Sequence, residues 1–330
     1  MPAAKTTSVR VTAPARLHLG FLDLNGGLGR RFGSLGLALE QPAYRLHLTA
    51  SSRLTVQGPD ATRAERYARA LSEQLGWPDG VHITIEQAIP AHSGLGSGTQ
   101  LALAVGMGIA RLFALPAEPA RVASMLQRGA RSGIGIGTFA QGGFILDGGH
   151  REATAEPPPI IARIPFPEAW RVVLIFDRNR QGFSGGDEQR AFTELPLFPE
   201  EQAARLCRLV LMQALPSLLE ADFSSFGSAV STIQQAVGDY FAPVQGGRFT
   251  SPAVTAVLNE LARERVGLGQ SSWGPTGFAL CENDTDASRL LARLKTRWTT
   301  TSTLHFAIGK PRNQPGLIES HTDELQRTVG

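Results

Sequence analysis

Alternating apolar and polar positions open the chain. Residues 9–13 read as one strand, and residues 13–24 as a second. In the second, Leu17, Leu19, Phe21 and Leu22 supply the apolar positions and place Arg16 and His18 together on the other face. Residues 34–40, 44–48 and 54–56 continue as strands of a meander. Over residues 61–75 the period changes: Ala64, Tyr67, Ala68, Leu71 and Leu75 recur at helical spacing, and the charges between them read as a solvated face. Residues 81–86 alternate again, and residues 101–112 form a helix of small and apolar residues. Further helices are expected over 116–127, 187–192, 199–215, 222–240, 252–265 and 287–294. Strands are expected over 143–146, 170–176 and 298–307. The tail from Gly309, punctuated by Pro and Gly, is expected to be loosely held.

Three glycine-rich stretches interrupt this pattern. The first, residues 89–100, lies between a strand and a helix start, where backbone N–H groups lack intrahelical partners and the helix dipole adds positive character. That is an anion site, most usefully for phosphate. Gly94, Gly96 and Gly98 allow close approach of the backbone, and Ser93, Ser97 and Thr99 can add hydroxyls. The bland alternative is a tight connection capped by Ser and Gly. The stretch matches neither the Walker pattern nor the dinucleotide fingerprint. The second, residues 128–149, holds too many glycines for a regular helix and is expected to form a second loop on the same cavity. The third spans residues 269–277.

Composition narrows the setting. Of the 330 residues 42% are apolar and 18% charged, enough for a packed core. The net charge of +3 does not demand nucleic acid. Arginine far outnumbers lysine, and its planar fork suits phosphate and carboxylate ligands. Cys207 and Cys281 make neither a disulfide framework nor a metal site, and each is expected to fill core space. There is no apolar run of membrane length and no apolar leader, so a soluble cytoplasmic protein is expected. The prolines at 157–159 mark the best domain boundary, giving expected domains 1–156 and 157–330.

The three glycine stretches and the early Arg/His strand together resemble the GHMP kinase superfamily. Residues 90–97 (PAHSGLGS) resemble its phosphate loop. Within it, the chain resembles the β-ribofuranosylaminobenzene 5′-phosphate synthase family. Residues 15–23 (ARLHLGFLD), 94–104 (GLGSGTQLALA), 131–135 (RSGIG), 142–148 (GGFILDG) and 269–276 (GQSSWGPT) carry that resemblance. It implies an α+β, two-domain GHMP-kinase-like fold: an N-terminal βαβ domain with the phosphate loop, a C-terminal ferredoxin-like α/β sandwich, and the site in the cleft between them. It also implies a homodimer that needs Mg2+ and no organic cofactor.

The implied reaction transfers ribose 5-phosphate from phosphoribosyl pyrophosphate to an aromatic acid, p-aminobenzoate or 4-hydroxybenzoate. A C-riboside forms, and CO2 and pyrophosphate leave, early in tetrahydromethanopterin biosynthesis. Two departures set the chain apart from the kinases. Gly98 stands where many carry a second, metal-binding serine, and Gly135 where many carry the aspartate base. A kinase of that mechanism needs a group to orient or deprotonate its substrate hydroxyl. An ATP-dependent small-molecule kinase is the alternative, and a non-catalytic phosphate-ligand binder the third reading.

On the implied reaction, the expected phosphate and substrate contacts are Pro90, Ser93, Gly94, Leu95, Gly96, Ser97, Gly98, Thr99, Gln100, Ser132, Gly133, Gln270, Ser271, Ser272, Trp273 and Gly274. Arg16 and Arg131 are candidates for the substrate carboxylate. Asp23, Asp147 and Glu188 are candidates to face the oxocarbenium-like centre. His18 is the candidate for moving a proton during rearomatisation, against the alternative of a hydrogen-bonded strand histidine. Asp147 reads equally as a strand-end turn residue. No metal ligand is identified.

Overall fold

The computed structural model describes residues 6–77, 80–151, 154, 156–182, 193–298 and 303–322. Two long antiparallel strands, β1 (Thr6–Asp23) and β2 (Phe32–Ala50), pair along almost their whole length. Each joins two segments that the alternation separates. Register shifts between Pro14 and Ala15 and between His18 and Gly20 change the phase of the side chains without ending the ribbon.

Next come β3 (Thr55–Gln57), α1 (Ala61–Leu75), β4 (Val81–Gln87), α2 (Ser97–Leu112), α3 (Pro119–Met125), α4 (Ile134–Gln141), β5 (Phe144–Asp147) and β6 (Ile160–Ile164). The chain then crosses to β7 (Arg171–Asp177). After it follow α5 (Glu200–Leu209), a π-helical turn (Val210–Ala214), α6 (Leu215–Leu219), α7 (Phe223–Gln245) and α8 (Pro252–Leu261). Last are β8 (Leu268–Gln270), β9 (Gly277–Cys281), α9 (Asp284–Trp298), β10 (Leu304–Gly309) and β11 (Leu317–Thr322).

One sheet runs β11–β1–β2–β4–β3, with β5 on the far half of β2 and β6 beside β5. The other runs β10–β7–β9–β8. The expected α+β class holds. Since β6 pairs with β5, the chain changes sheets after residue 164, one strand beyond the boundary expected at 156/157. The tail is not loose through Thr322: β11 pairs with β1, and Gly316 N–H donates to the Phe139 carbonyl. Trp298 ends α9 instead of starting a strand. Cys207 is exposed, contrary to expectation, and Cys281 is buried. The helix expected over 187–192, with Glu188, lies outside the described residues.

The glycine-rich stretch contains a helix after all. Glycine costs about 1 kcal/mol per residue in a helix interior, yet α4 reads Ile-Gly-Ile-Gly-Thr-Phe-Ala-Gln. Packing explains it. A Cβ on Gly137 would lie 2.7 Å from Ile145, and one on Gly36 of β2 would lie 2.0 Å from Ile134. The missing side chains let α4 lie close against the sheet, where Ile134, Ile136 and Phe139 are buried. Each such burial contributes roughly 1.5–3 kcal/mol.

The main core lies between β1, β2 and α2 and extends to α7. There Phe226 is fully buried and rings with Phe144, Phe166 and Trp170. A second core joins β7, β9 and β10 to α8 and α9. Where the two halves meet, the middle of β1, the loop before α2 and the turn from β8 to β9 converge.

Candidate active site

The loop between β4 and α2 folds on its own donors first. Ser93 Oγ donates to the Pro90 carbonyl at 2.7 Å. Gly94 and Gly96 take φ of +83° and +79°, a region costly for other residues. Gly96 is the N-cap of α2 and makes no side-chain cap, so the first N–H groups, at Ser97, Gly98 and Thr99, face the cleft instead of a capping oxygen. No acidic residue occupies that first turn.

Two elements clamp this loop. From β1, Arg16 N–H donates to the Leu95 carbonyl at 3.1 Å, and its Nη1 donates to the Gly94 carbonyl at 2.6 Å. From the β8–β9 turn, Ser271 Oγ donates to the Gly94 carbonyl at 2.8 Å while accepting from the His18 backbone N–H at 3.0 Å. Gly274 backs directly onto the loop: a Cβ there would lie 2.2 Å from Gly94 N. Three segments far apart in sequence are thus locked into one wall.

The result is a solvent-open cleft of about 240 Å³. Of the candidates, Arg16, Gly94, Gly96, Ser97, Gly98, Thr99, Ser272, Trp273 and Gly274 line it. Arg63, His92 and Arg128 complete the lining and stand outside the sequence candidates. Arg63 belongs to the face of α1 that reads as merely solvated. Arg128 opens the second glycine stretch, and His92 lies inside the first; those placements were the available signals.

Behind Trp273 a small cavity of about 30 Å³ has room for roughly one water. His18, Phe21, Gln234, Phe241, Gln270 and Trp273 are among its walls, and Ser272 and Trp273 are shared with the cleft. His18 is 2% exposed, and its Nε2 has no hydrogen-bond partner among the described residues. Burial, and secondarily the charge of Arg16, hold its pKa well below the usual imidazole value, so the ring is neutral. Phe241 and Trp273 contact at 4.2 Å between ring centroids. Gln270 lines this cavity while its carbonyl oxygen accepts from Thr250 N–H.

Several candidates play structural parts. Leu95 is core. Gln100 is fully buried and donates to the Gly135 carbonyl at 2.7 Å, tying α2 to α4. Asp147 is fully buried beneath the start of α4. Its carboxylate accepts from the backbone N–H groups of Ser34, Gly133 and Gly149 and from Ser132 Oγ. Burial dominates those bonds and raises its pKa from 3.8 to about 6. Asp147 is therefore the strand-end brace, and Ser132 and Gly133 serve that brace and not the cleft. Asp23 accepts from the N–H groups of Asn25 and Gly26 in a turn. Arg131 is half-buried and does not line the cleft. Pro90 is exposed, beside a separate cavity of about 550 Å³.

No carboxylate lines the cleft among the described residues, and none of them form a His/Cys/Asp/Glu group able to hold a metal. The hydroxyls of Ser97 and Thr99 alone do not fit a protein-held Mg2+, which typically takes one or two carboxylates besides ligand oxygens. No helix among the described residues is long and apolar enough to cross a membrane.

Comparisons with known proteins agree with this geometry. The model of the GHMP kinases N-terminal domain matches residues 62–143, and that of the GHMP kinases C-terminal domain matches residues 214–300. The chain is 33% identical to the β-ribofuranosylphenol 5′-phosphate synthase of Methanothermobacter thermautotrophicus, over 82% of this chain and 88% of that protein. It is 35% identical to the protein of the same name from Archaeoglobus fulgidus, over 84% and 88%. Among solved structures, mevalonate pyrophosphate decarboxylase from Streptococcus pyogenes superposes with a TM-score of 0.67 at 15% identity, covering 95% of this chain and 99% of that one. Homoserine kinase from Cytophaga hutchinsonii does so with a TM-score of 0.65 at 18% identity, covering 95% and 98%. These two likenesses speak for the fold alone.

Proposed function

The chain belongs to the β-ribofuranosylphenol 5′-phosphate synthase family, and on that premise we propose that it joins the ribose 5-phosphate of phosphoribosyl pyrophosphate to the ring of 4-hydroxybenzoate, releasing pyrophosphate and CO2. The observation that carries this reading is the pairing of two cavities across Ser272 and Trp273. One is arginine-lined with α2 N–H groups, and the other is part-open, with Phe21, Phe241, Trp273 and the neutral, buried His18 among its walls.

The chemistry follows from that pairing. As the C1–O bond to pyrophosphate breaks, negative charge grows on the leaving oxygens. The N–H groups at Ser97, Gly98 and Thr99 and the Arg16 guanidinium stand where that charge would be stabilised. The ring carbon bearing the carboxylate attacks C1 and forms the C–C bond. The C–CO2 bond then breaks, and its electron pair restores the aromatic ring. During attack the para-hydroxyl becomes strongly acidic. His18 Nε2, kept neutral, can take that proton and return it once the ring is restored. The aromatic cavity as it stands holds about one water, so a ring enters only when Trp273 and Phe241 part.

In this reading Mg2+ arrives on the oxygens of phosphoribosyl pyrophosphate itself, and no step is assigned to a protein-bound ion. The relatives are named for a ribofuranosylphenol product, which favours 4-hydroxybenzoate over p-aminobenzoate. The same reading has the protein act in the cytoplasm as a homodimer. Leu211, Met212 and Leu219, all exposed along the run from the π-helical turn into α6, support a subunit contact.

The test is direct. The protein is incubated with phosphoribosyl pyrophosphate, Mg2+ and carboxyl-labelled 4-hydroxybenzoate, with p-aminobenzoate in parallel. Labelled CO2 and pyrophosphate should appear in equal amounts. No release with either acid, together with ATP consumption on a polyol or homoserine, would instead establish a kinase.

A further inference from the structure

At Gly98, the position where the resembling kinases hold a metal with a serine, the space is not empty. A Cβ there would lie 3.5 Å from Arg128 Nη1 and 3.8 Å from the Tyr67 hydroxyl. The Arg128 guanidinium stands 5.5 Å from the centre of the Tyr67 ring. Its buried Nε has no hydrogen-bond partner among the described residues. Tyr67 is 3% exposed, and its hydroxyl also has none. Two buried polar atoms left unsatisfied are costly unless a ligand or ordered water meets them. Arg63 adds a third guanidinium to the cleft beside Arg16, but Asp60, at 2.8 Å, offsets its charge. Arg128 has no such carboxylate among the described residues.

We propose that Arg128, seated on the Tyr67 ring, binds the pyrophosphate group directly and takes the place of a protein-held divalent ion, with Arg16 and Arg63 completing a three-guanidinium clamp. The proposal rests on the reading that the cleft receives pyrophosphate. The planar guanidinium presents two parallel donors to adjacent phosphoryl oxygens, a geometry a lysine lacks. Without a side chain at 98, the fork can reach the first turn of α2, where the pyrophosphate also meets the helix N–H groups. The Tyr67 hydroxyl lies beside the same glycine, 3.8 Å from where a Cβ would stand.

The experiment is titration calorimetry of inorganic pyrophosphate into the full-length protein in excess EDTA. Three variants are compared: Arg128→Gln, Arg128→Lys and Arg121→Gln, the last an exposed arginine on α3 that controls for net charge. The wild type should bind without metal. Arg128→Gln should weaken binding at least tenfold, Arg128→Lys by an intermediate factor, and Arg121→Gln by less than twofold. Circular dichroism melts show whether each variant folds. If Arg128→Gln does not, the lysine variant decides, since equal affinity of Lys and Arg there would overturn the fork. Wild-type binding that requires Mg2+, or unchanged affinity in folded Arg128→Gln, would also overturn the proposal. Failure of the synthase assay alongside Arg128-dependent pyrophosphate binding would sink the proposed reaction and leave this site standing. A working synthase with Arg128-independent binding would do the reverse.

Discussion

Replacing Gly274 with alanine should uncouple the two walls of the cleft. The added Cβ would fall 2.2 Å from Gly94 N and 2.3 Å from the Ser93 carbonyl. Reaching ordinary contact at 3.4 Å means parting the loops by 3.4 − 2.2 = 1.2 Å. Both neighbours are backbone, so no flexible side chain can absorb the shift. Parting by that much lengthens the Ser271 Oγ–Gly94 carbonyl bond from 2.8 Å to a distance at which it no longer counts. One lost hydrogen bond costs about 0.5–1.5 kcal/mol, and residual overpacking about 1–3 kcal/mol. The protein should therefore stay folded and lose roughly 1.5–4.5 kcal/mol in urea denaturation. Function should suffer more, because a displacement near 1 Å in a positioning wall costs on the order of 100-fold in rate. Gly246→Ala is the control: φ is +82° there with nothing within 4 Å, so it carries backbone strain without a clash. The reasoning fails if Gly274→Ala forms product and binds pyrophosphate within twofold of wild type.

Asp147 gives a pH signature of unusual sign. Its pKa is about 6 when folded and 3.8 as the ordinary value, so the native state binds the extra proton between them. Stability from this group is complete below about pH 4 and falls as pH rises through 6, by up to about 3 kcal/mol from the 2.2-unit shift. Wild type minus Asp147→Asn, compared at pH 4.5 and 7.5 by urea denaturation, should show that fall; a rise would refute it. Gly135→Asp, which reinstates the kinase base, should create no ATP-dependent phosphorylation of homoserine or polyols and should cost roughly 1–3 kcal/mol from crowding against Thr99.

Much of the site could be read along the chain because glycine and polar loop residues mark places where backbone approaches backbone. The Gly94–Thr99 loop, Arg16, His18 and the Ser271–Gly274 turn are brought together in the fold by backbone-directed hydrogen bonds. What the chain concealed depends on packing between distant elements. Arg63 looks like any charge on an amphipathic helix until the fold turns that end of α1 toward the cleft. Gln100 and Leu95 sit inside the motif yet face the core, since the first turn of a helix offers only part of its circumference to a ligand. Asp147 has the composition of a catalytic acid, but only the fold reveals three N–H groups around it. The glycines of α4 weigh against a helix in any local scale, and only Ile134 meeting Gly36 shows why one forms.

The two glycines that separate this chain from the kinases are coupled through that same packing. A Cβ on Gly135 would already lie 3.0 Å from Thr99, whose N–H stands in the phosphate turn. The Gln100 amide fixes the distance by bonding the Gly135 carbonyl at 2.7 Å. On the neighbouring residue of the same turn, Gly98 faces Arg128 and Tyr67 at contact distance. The places of base and metal ligand are thus occupied, one by the flank of α2 and the other by a guanidinium on an aromatic ring. An aspartate at 135 would push α4 off Thr99, and a serine at 98 would meet a cation where a magnesium-binding hydroxyl needs anionic company. The change of chemistry is therefore held by helix spacing and by a fixed charge. Reverting the two glycines alone would damage the phosphate turn before it could recreate a hydroxyl-activating site.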